Sequence, residues 1–256
     1  MTRTSPKHVQ RSLRALNLHL IDVNDCVDGA WPIVGRSDSV PKGMTNFYPT
    51  DADKHGGEYA HFFVEDYRFE RIWTEPERYV PVLRKYAGMI MPDFSTYTNM
   101  PIPMQIWNAY RNKALAAYYQ SQGIDVIPSL MWSDDRSFDW IFDGMPIGGT
   151  YALGATGFDT DRTSKHGFYT GLFEAVRCLK PNTLLVYGRR LNLHLPCKMV
   201  YYSNNSIARL REVDARRERE VAERTPDDVM HDCMDAVLGK ILSYQGEMAG
   251  DDGGER

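Results

Sequence analysis

Short apolar runs, each closed by an acidic or polar cluster, recur along this chain and limit what it can fold into. His61-Phe62-Phe63-Val64 leads into Glu65-Asp66-Tyr67, and Met89-Ile90-Met91 leads into Pro92-Asp93-Phe94-Ser95. Val126-Ile127-Pro128-Ser129-Leu130-Met131 runs into Trp132-Ser133-Asp134-Asp135. Tyr151-Ala152-Leu153 ends in Gly154-Ala155-Thr156-Gly157, and Leu184-Leu185-Val186 ends in Tyr187-Gly188. Runs of this length fit buried strands, and helical patterns lie between most of them. In a parallel α/β protein all strand carboxyl ends face one way, so the clusters are expected to converge on one rim.

The intervening segments support that pattern. Thr74 followed by Glu77 predicts a capped helix start, and Pro81 inside the helix predicts a kink or a late start. A second helix opens at Pro101 and Pro103, carries Ile106, Trp107, Tyr110, Leu115, Tyr118 and Tyr119 at helical spacing, and stops at Gly123. A short third helix is expected from Ser137 to Gly144 and a fourth from Lys165 to Leu179. Strand starts about 25 to 40 residues apart match βα units. Two architectures fit: a partial or degenerate β/α (TIM-like) barrel with mainly parallel strands, or an open doubly wound sheet. Polar residues at nearly every strand end favour the barrel-like form.

Residues 1–58 contain Gly29, Pro32, Gly35, Pro41, Gly43 and Pro49 and are expected to form an irregular N-terminal cover. The α/β core is placed at 59–203, a charged helical region at 204–245 and a disordered tail at 246–256. Hydrophobic residues make up 43% of the chain and aromatics 12%, enough for a sizeable core. A formal charge of -4 gives no global attraction to nucleic acid or anionic membrane, which leaves nucleic-acid binding open. Cys26, Cys178, Cys197 and Cys233 are too dispersed for a zinc knuckle or a redox pair. Scattered thiols of this kind suit a reducing, cytoplasmic setting. No run approaches the roughly 20 apolar residues of a membrane span.

The chemistry is expected at the strand ends. Asp66 and Asp93 follow sequential strands, and two carboxylates across one cleft can divide acid and base roles or bind a divalent metal. Both are also good turn residues. Asp134 and Ser133 suit either a third catalytic cluster or a helix cap. Trp132 is either a stacking wall for a sugar or base, or a packing residue. Asn108 and Arg111 share a helix face, where Arg111 clamps a carboxylate or meets a phosphate. Thr156, in a Gly-rich turn, and Tyr187 complete the expected rim, while His61 reads as a structural histidine with its hydrogen bonds met. HExxH, GxSxG and kinase motifs are absent from the sequence.

The phrases His61-Phe62-Phe63, Asp66-Tyr67, Phe69-Glu70, Trp73, Pro92-Asp93-Phe94-Ser95, Gln105-Ile106-Trp107-Asn108, Tyr110-Arg111, Trp132-Ser133-Asp134 and Phe142-Asp143-Gly144 together carry a resemblance. Over about residues 59–190 the chain resembles the domain of unknown function 4417 family of bacteria, plasmids and phages. The resemblance implies a mobile-element context and brings no established activity. From the strand-end carboxylates, the expected reaction is that of a hydrolase or transferase; the expected substrate, a nucleotide, nucleic-acid component or sugar-like small molecule, rests partly on the mobile-element context that the resemblance implies. The competing expectation is a non-catalytic replication, regulatory or host-interaction protein.

Overall fold

Alternation of side chains along very short parallel strands organises the fold. The computed structural model describes Arg11, residues 13–156 and residues 162–203. The chain divides into two units, Met1–Asn204 and Asn205–Arg256. The expected charged helical region and tail lie outside the described residues.

A small antiparallel hairpin comes first, from β1 (Cys26–Val27) and β2 (Trp31–Pro32). A four-stranded parallel sheet follows, in the order β3 (Met44–Asn46), β4 (Tyr59–His61), β5 (Gly88–Ile90), β6 (Val126–Ile127). A three-stranded parallel sheet is built from β7 (Thr150–Ala155), β8 (Thr183–Gly188) and β9 (Lys198–Tyr202). The chain beyond β6 pairs with β7 through a parallel bridge between Ser129 and Ala152. Leu130 donates its N–H to the Ala152 carbonyl at 2.7 Å, and Ala152 donates to the Pro128 carbonyl at 2.8 Å.

The helices cover the outer faces. They are α1 (Arg71–Thr74), α2 (Pro76–Leu83), α3 (Ile102–Ser121) and α4 (Arg162–Leu179). Ala60, Met89 and Val126, on one face of the first sheet, pack with Ile72, Leu83 and Leu115. Tyr151, Leu153, Leu184 and Val186 pack with Leu172, Val176 and Leu179 of α4. The opposite faces of all these strands meet in a third cluster of Met44, Tyr59, Ile90, Ile127, Ala152, Leu185 and Tyr187. The period-two alternation of strands therefore separates an inner layer from two helix-covered ones.

Several local expectations are corrected. The run from His61 leaves the ladder at His61, so Asp66 stands on a 3-10 turn (Asp66–Arg68) and not at a strand end. Thr74 does not cap the next helix; its hydroxyl donates to the Glu70 carbonyl at 3.2 Å. Pro76 opens α2 at its first turn, where a missing N–H costs nothing, and Pro81 lies within it. The expected third helix is only a 3-10 turn, Asp135–Asp139. The segment read as an irregular cover supplies β3 to the parallel sheet. The second helix matches its expected bounds, and Gly123 adopts a φ of 76° just past its end.

One core residue breaks the apolar pattern. Lys113 of α3 is fully buried, its Nζ lies 3.8 Å from the Trp31 ring centre, and that amine has no hydrogen-bond partner among the described residues. Burial lowers its pKa to about 7, although the charge of Asp143 opposes the shift. An unfolded lysine titrates near 10.4, so between about pH 7 and 10 the unfolded state binds the extra proton. Stability from this group is therefore lowest below pH 7 and rises towards pH 10. Lys113→Met is expected to raise Tm by roughly 2–8 °C at pH 6 and to lose that advantage near pH 10, as read by pH-dependent thermal unfolding.

Candidate functional site

The chain leaving β5 is held from below by a polar face of α3. Gln105, Asn108 and Asn112 lie on one side of that helix, since residues three, four and seven apart align. Asn112 accepts from the Phe94 N–H at 2.8 Å and donates to the Phe94 carbonyl at 3.1 Å. Asn108 donates to the Ser95 carbonyl at 2.6 Å, and Gln105 donates to the carbonyls of Tyr97 and Met100. Arg111 donates to Glu70 and to Asn108, each at 2.7 Å, and its guanidinium lies 3.7 Å from the Phe94 ring centre. The carboxylate that Arg111 meets, Glu70, immediately precedes α1 and is not at a strand end.

Asp66 faces the same loop. Its carboxylate accepts the Ser95 N–H at 3.1 Å and the Ser95 hydroxyl at 2.8 Å. Asp93, two residues earlier, differs in kind: its carboxyl accepts no hydrogen bond from the described residues and borders a cavity. The residue keeps partial exposure, yet burial of the carboxyl, reinforced by the charge of Asp66, pushes its pKa up to about 7. Desolvation and a like charge act in the same direction on a carboxylic acid.

The second wall comes from the chain beyond β6. Thr96 donates to the Trp132 carbonyl at 2.8 Å, tying the two rim segments together. The Trp132 indole lies flat on Gly171 of α4, where an added Cβ would fall 2.3 Å from the ring. Its ring centre is 5.6 Å from that of Phe168. The Ser133 N–H donates to Ser137 at 3.0 Å, but the Ser133 hydroxyl is buried without a partner among the described residues. Asp134 accepts from the Arg136 N–H at 3.1 Å and pairs with the Arg136 guanidinium at 2.5 Å. The Arg136 hydrogen bond holds the Asp134 carboxyl below its usual range.

The strand ends of β5, β6 and β7 enclose a cavity of about 880 Å³. Of the expected site residues, Asp93, Trp132, Ser133, Asp134 and Thr156 border it. Asp66, Asn108 and Arg111 stand behind it as supports for the loop. Tyr187 points into the inner layer, its ring centre 4.0 Å from that of His61, and burial raises its hydroxyl to about 12. His61 accepts the Phe63 N–H at 3.3 Å through Nδ1, while its buried Nε2 has no partner. Burial lowers the imidazole to about 3, so the ring is neutral at physiological pH.

Phe138, Phe168 and Tyr97 join Trp132 in an aromatic lining, with Thr98, Asn99 and His166 among the polar groups. The charged lining is Asp93, Asp134 and Asp135, and among the described residues no Lys or Arg side chain borders the cavity. Among the described residues, no group of three or more His, Cys, Asp or Glu is placed to hold a metal ion. Sequence reasoning missed Gln105, Asn112 and His166. The first two carried a signal: amides at helical spacing within an otherwise apolar helix.

Fold and site together define an α/β protein with parallel strands and a cavity at their carboxyl ends. The chain belongs to the family described as Domain of unknown function (DUF4417), whose model matches residues 27–200. It is 42% identical over 138 residues to the Gene 1 protein of Mycobacterium phage L5, covering 54% of this chain and 60% of that protein. It is 41% identical over 133 residues to the Gene 1 protein of Mycobacterium phage D29, covering 52% of this chain and 49% of that one. The chain thus matches only about half to three fifths of the length of these curated relatives. No solved structure is significantly similar.

The raised Asp93 carboxyl makes a signed prediction. Relative to an unfolded aspartate near 3.9, the folded group binds the extra proton between about pH 4 and 7. Its favourable contribution is full below pH 4 and lost as pH rises through 7. Asp93→Asn is expected to be more stable than wild type at pH 8 and no more stable at pH 4. Asp66→Ala, which leaves two Ser95 donors unmet, is expected to lose roughly 1–3 kcal/mol in urea unfolding at pH 7.

Proposed function

We propose that this phage-type protein is an acid–base enzyme of the hydrolase or transferase class. Its substrate is an uncharged, ring-bearing molecule of the nucleoside or sugar class, bound at the carboxyl ends of β5, β6 and β7. One observation carries the reading: an unpartnered carboxyl, raised to about 7, opens into an aromatic-walled cavity. A group with its pKa near the working pH serves best as both proton donor and acceptor. Perturbed carboxyls in clefts are enriched at catalytic sites for this reason.

The lining favours uncharged ligands over nucleotides. With acidic side chains in the lining and no Lys or Arg among the described lining residues, nothing described there would neutralise a phosphate. Trp132 and Phe168 supply flat apolar surface for a base or the apolar face of a sugar. Thr98 and Asn99 of the lining supply hydrogen-bonding groups for such a ring. The sequential order of parallel strands from β3 to β9 and their shared inner cluster support a partial β/α barrel, with active sites at the strand carboxyl ends. The Tyr202 hydroxyl, donating to the Pro41 carbonyl at 2.6 Å, brings the last strand beside the segment that precedes the first. Among the described residues no helix is long and apolar enough to cross a membrane, and the site of action is taken to be the cytoplasm of the infected cell.

A docking protein would spend its strand-end aspartates on caps and arginine pairs. Asp134 is so spent; Asp93 is not. The test is a thermal-shift screen at pH 7.5 with nucleosides, methyl and aryl glycosides and their phosphorylated counterparts, followed by turnover assays on any binder. Uncharged ligands are expected to raise Tm more than their phosphates do. Asp93→Asn is expected to keep binding while losing at least 100-fold in kcat, in line with general acid–base contributions of about 10²–10⁴. A set of uncharged ligands with no effect, or full turnover by Asp93→Asn, would overturn the reading.

A further inference from the structure

A second cavity, of about 870 Å³, lies between residues 18–31 and the first half of α3, with no lining residue in common with the rim cavity. Its character is different. Trp107 and Tyr110 give it two aromatic surfaces, Trp31, whose ring is taken up by Lys113 and Trp140, adds to the wall, and Leu18, Ile21 and Ile106 fill most of the rest. Trp107 and Tyr110, one helical turn apart, stack with ring centres 5.7 Å apart and planes 13° from parallel. Trp73 meets Trp107 edge-on at 5.4 Å from behind, which fixes the indole while leaving Trp107 partly exposed.

The charge in the described lining of this groove has one sign. Asp22 is its one charged lining residue among those described. The Asp22 Oδ1 accepts from the backbone N–H and the side-chain amide of Asn24, while its Oδ2 accepts nothing from the described residues. Cys26, also in the lining, has its thiol raised by burial and then by the charges of Asp25 and Asp22, consistent with a negative field. The nearby cations, Lys113 against Trp31 and Arg111 near Trp73, do not line the groove.

We propose that this groove binds a small apolar cation, with its alkylated ammonium group against Trp107 and Tyr110 and its charge answered by Asp22. Aromatic faces carry a negative quadrupole that attracts a weakly hydrated cation, and quaternary ammonium groups are recognised in this way. The volume falls in the range of small-molecule sites, which are mostly apolar with a few polar groups that orient the ligand. A neutral apolar ligand would gain the same burial but nothing from the carboxylate or the ring faces. The site is independent of the rim chemistry and does not rest on it.

The test uses the full chain at pH 8, where Lys113 is largely uncharged, and follows tryptophan fluorescence. Benzyltrimethylammonium is titrated beside neopentylbenzene, its uncharged carbon isostere. The cation is expected to bind saturably and at least fivefold more tightly than the isostere. Asp22→Asn, whose side-chain oxygen can still cap the turn at Val23, is expected to weaken the cation about three- to tenfold and leave the isostere unchanged. Trp107→Leu, checked for folding by Tm, is expected to weaken both. Equal binding of the two probes, no binding of the cation, or indifference of the cation to Asp22→Asn would each overturn the proposal. So would a dimer in sedimentation velocity that Trp107→Leu dissolves and the cation does not displace, since the groove would then serve a second copy.

Discussion

A single ladder step, Ser129 against Ala152, joins the four-stranded and three-stranded parallel sheets, and the position of the rim depends on it. Through that step the inward residues of successive strands share one layer, from Met44 to Tyr187. The layer closes by pairing aromatics with glycines. A Cβ on Gly88 would fall 2.4 Å from the Tyr59 ring, and one on Gly154 would fall 2.8 Å from the Phe63 ring. Neither glycine has positive φ, so their role is close approach and not backbone conformation. With the strands parallel and so locked, their carboxyl ends open on the same side, bringing Asp93, Trp132 and Thr156 to one cavity.

The support beneath the cavity shows a division of labour among polar groups. Asn108, Asn112, Gln105 and Asp66 are consumed by backbone atoms of the loop after β5. Because backbone donors and acceptors must be met when buried, an irregular segment at a rim needs such side chains to replace a ladder. Their cost is offset by order: the loop is held at several points, and Asp93 is presented from a fixed backbone. Asp93, by contrast, borders the cavity with a carboxyl that accepts no hydrogen bond from the described residues. Burying a polar group without a partner is costly, and that cost falls at the cavity that the well-satisfied residues frame.

The two cavities differ in the physics they offer. The rim cavity mixes aromatic walls with carboxyls, hydroxyls and amides, a surface for a polar ring with defined hydrogen bonds. The groove against α3 is almost wholly apolar, with one carboxylate at its edge. Helix α3 serves both: its buried amides brace the rim loop, while Trp107 and Tyr110 line the groove. That double use explains its weak amphipathic pattern, because neither side of the helix is simply solvated.

Sequence alone was enough to establish the α/β class and the bounds of α3, because alternating burial, helical spacing and glycine stops are local properties, but it left the order of the strands open between a barrel and a doubly wound sheet. It also singled out Asp93, Trp132, Ser133 and Thr156, since a polar cluster closing an apolar run is visible without coordinates. It could not separate Asp93 from Asp66 and Asp134. All three look alike in sequence, yet Asp66 is bound to Ser95 and Asp134 to Arg136, while Asp93 accepts no hydrogen bond from the described residues. Nor could it find β3, whose Met44-Thr45-Asn46 has no apolar run and is a strand only because β4 lies beside it. Partners distant in the chain decide such questions: the energy of a carboxyl or a short strand depends on what tertiary packing places against it, which local pattern does not encode.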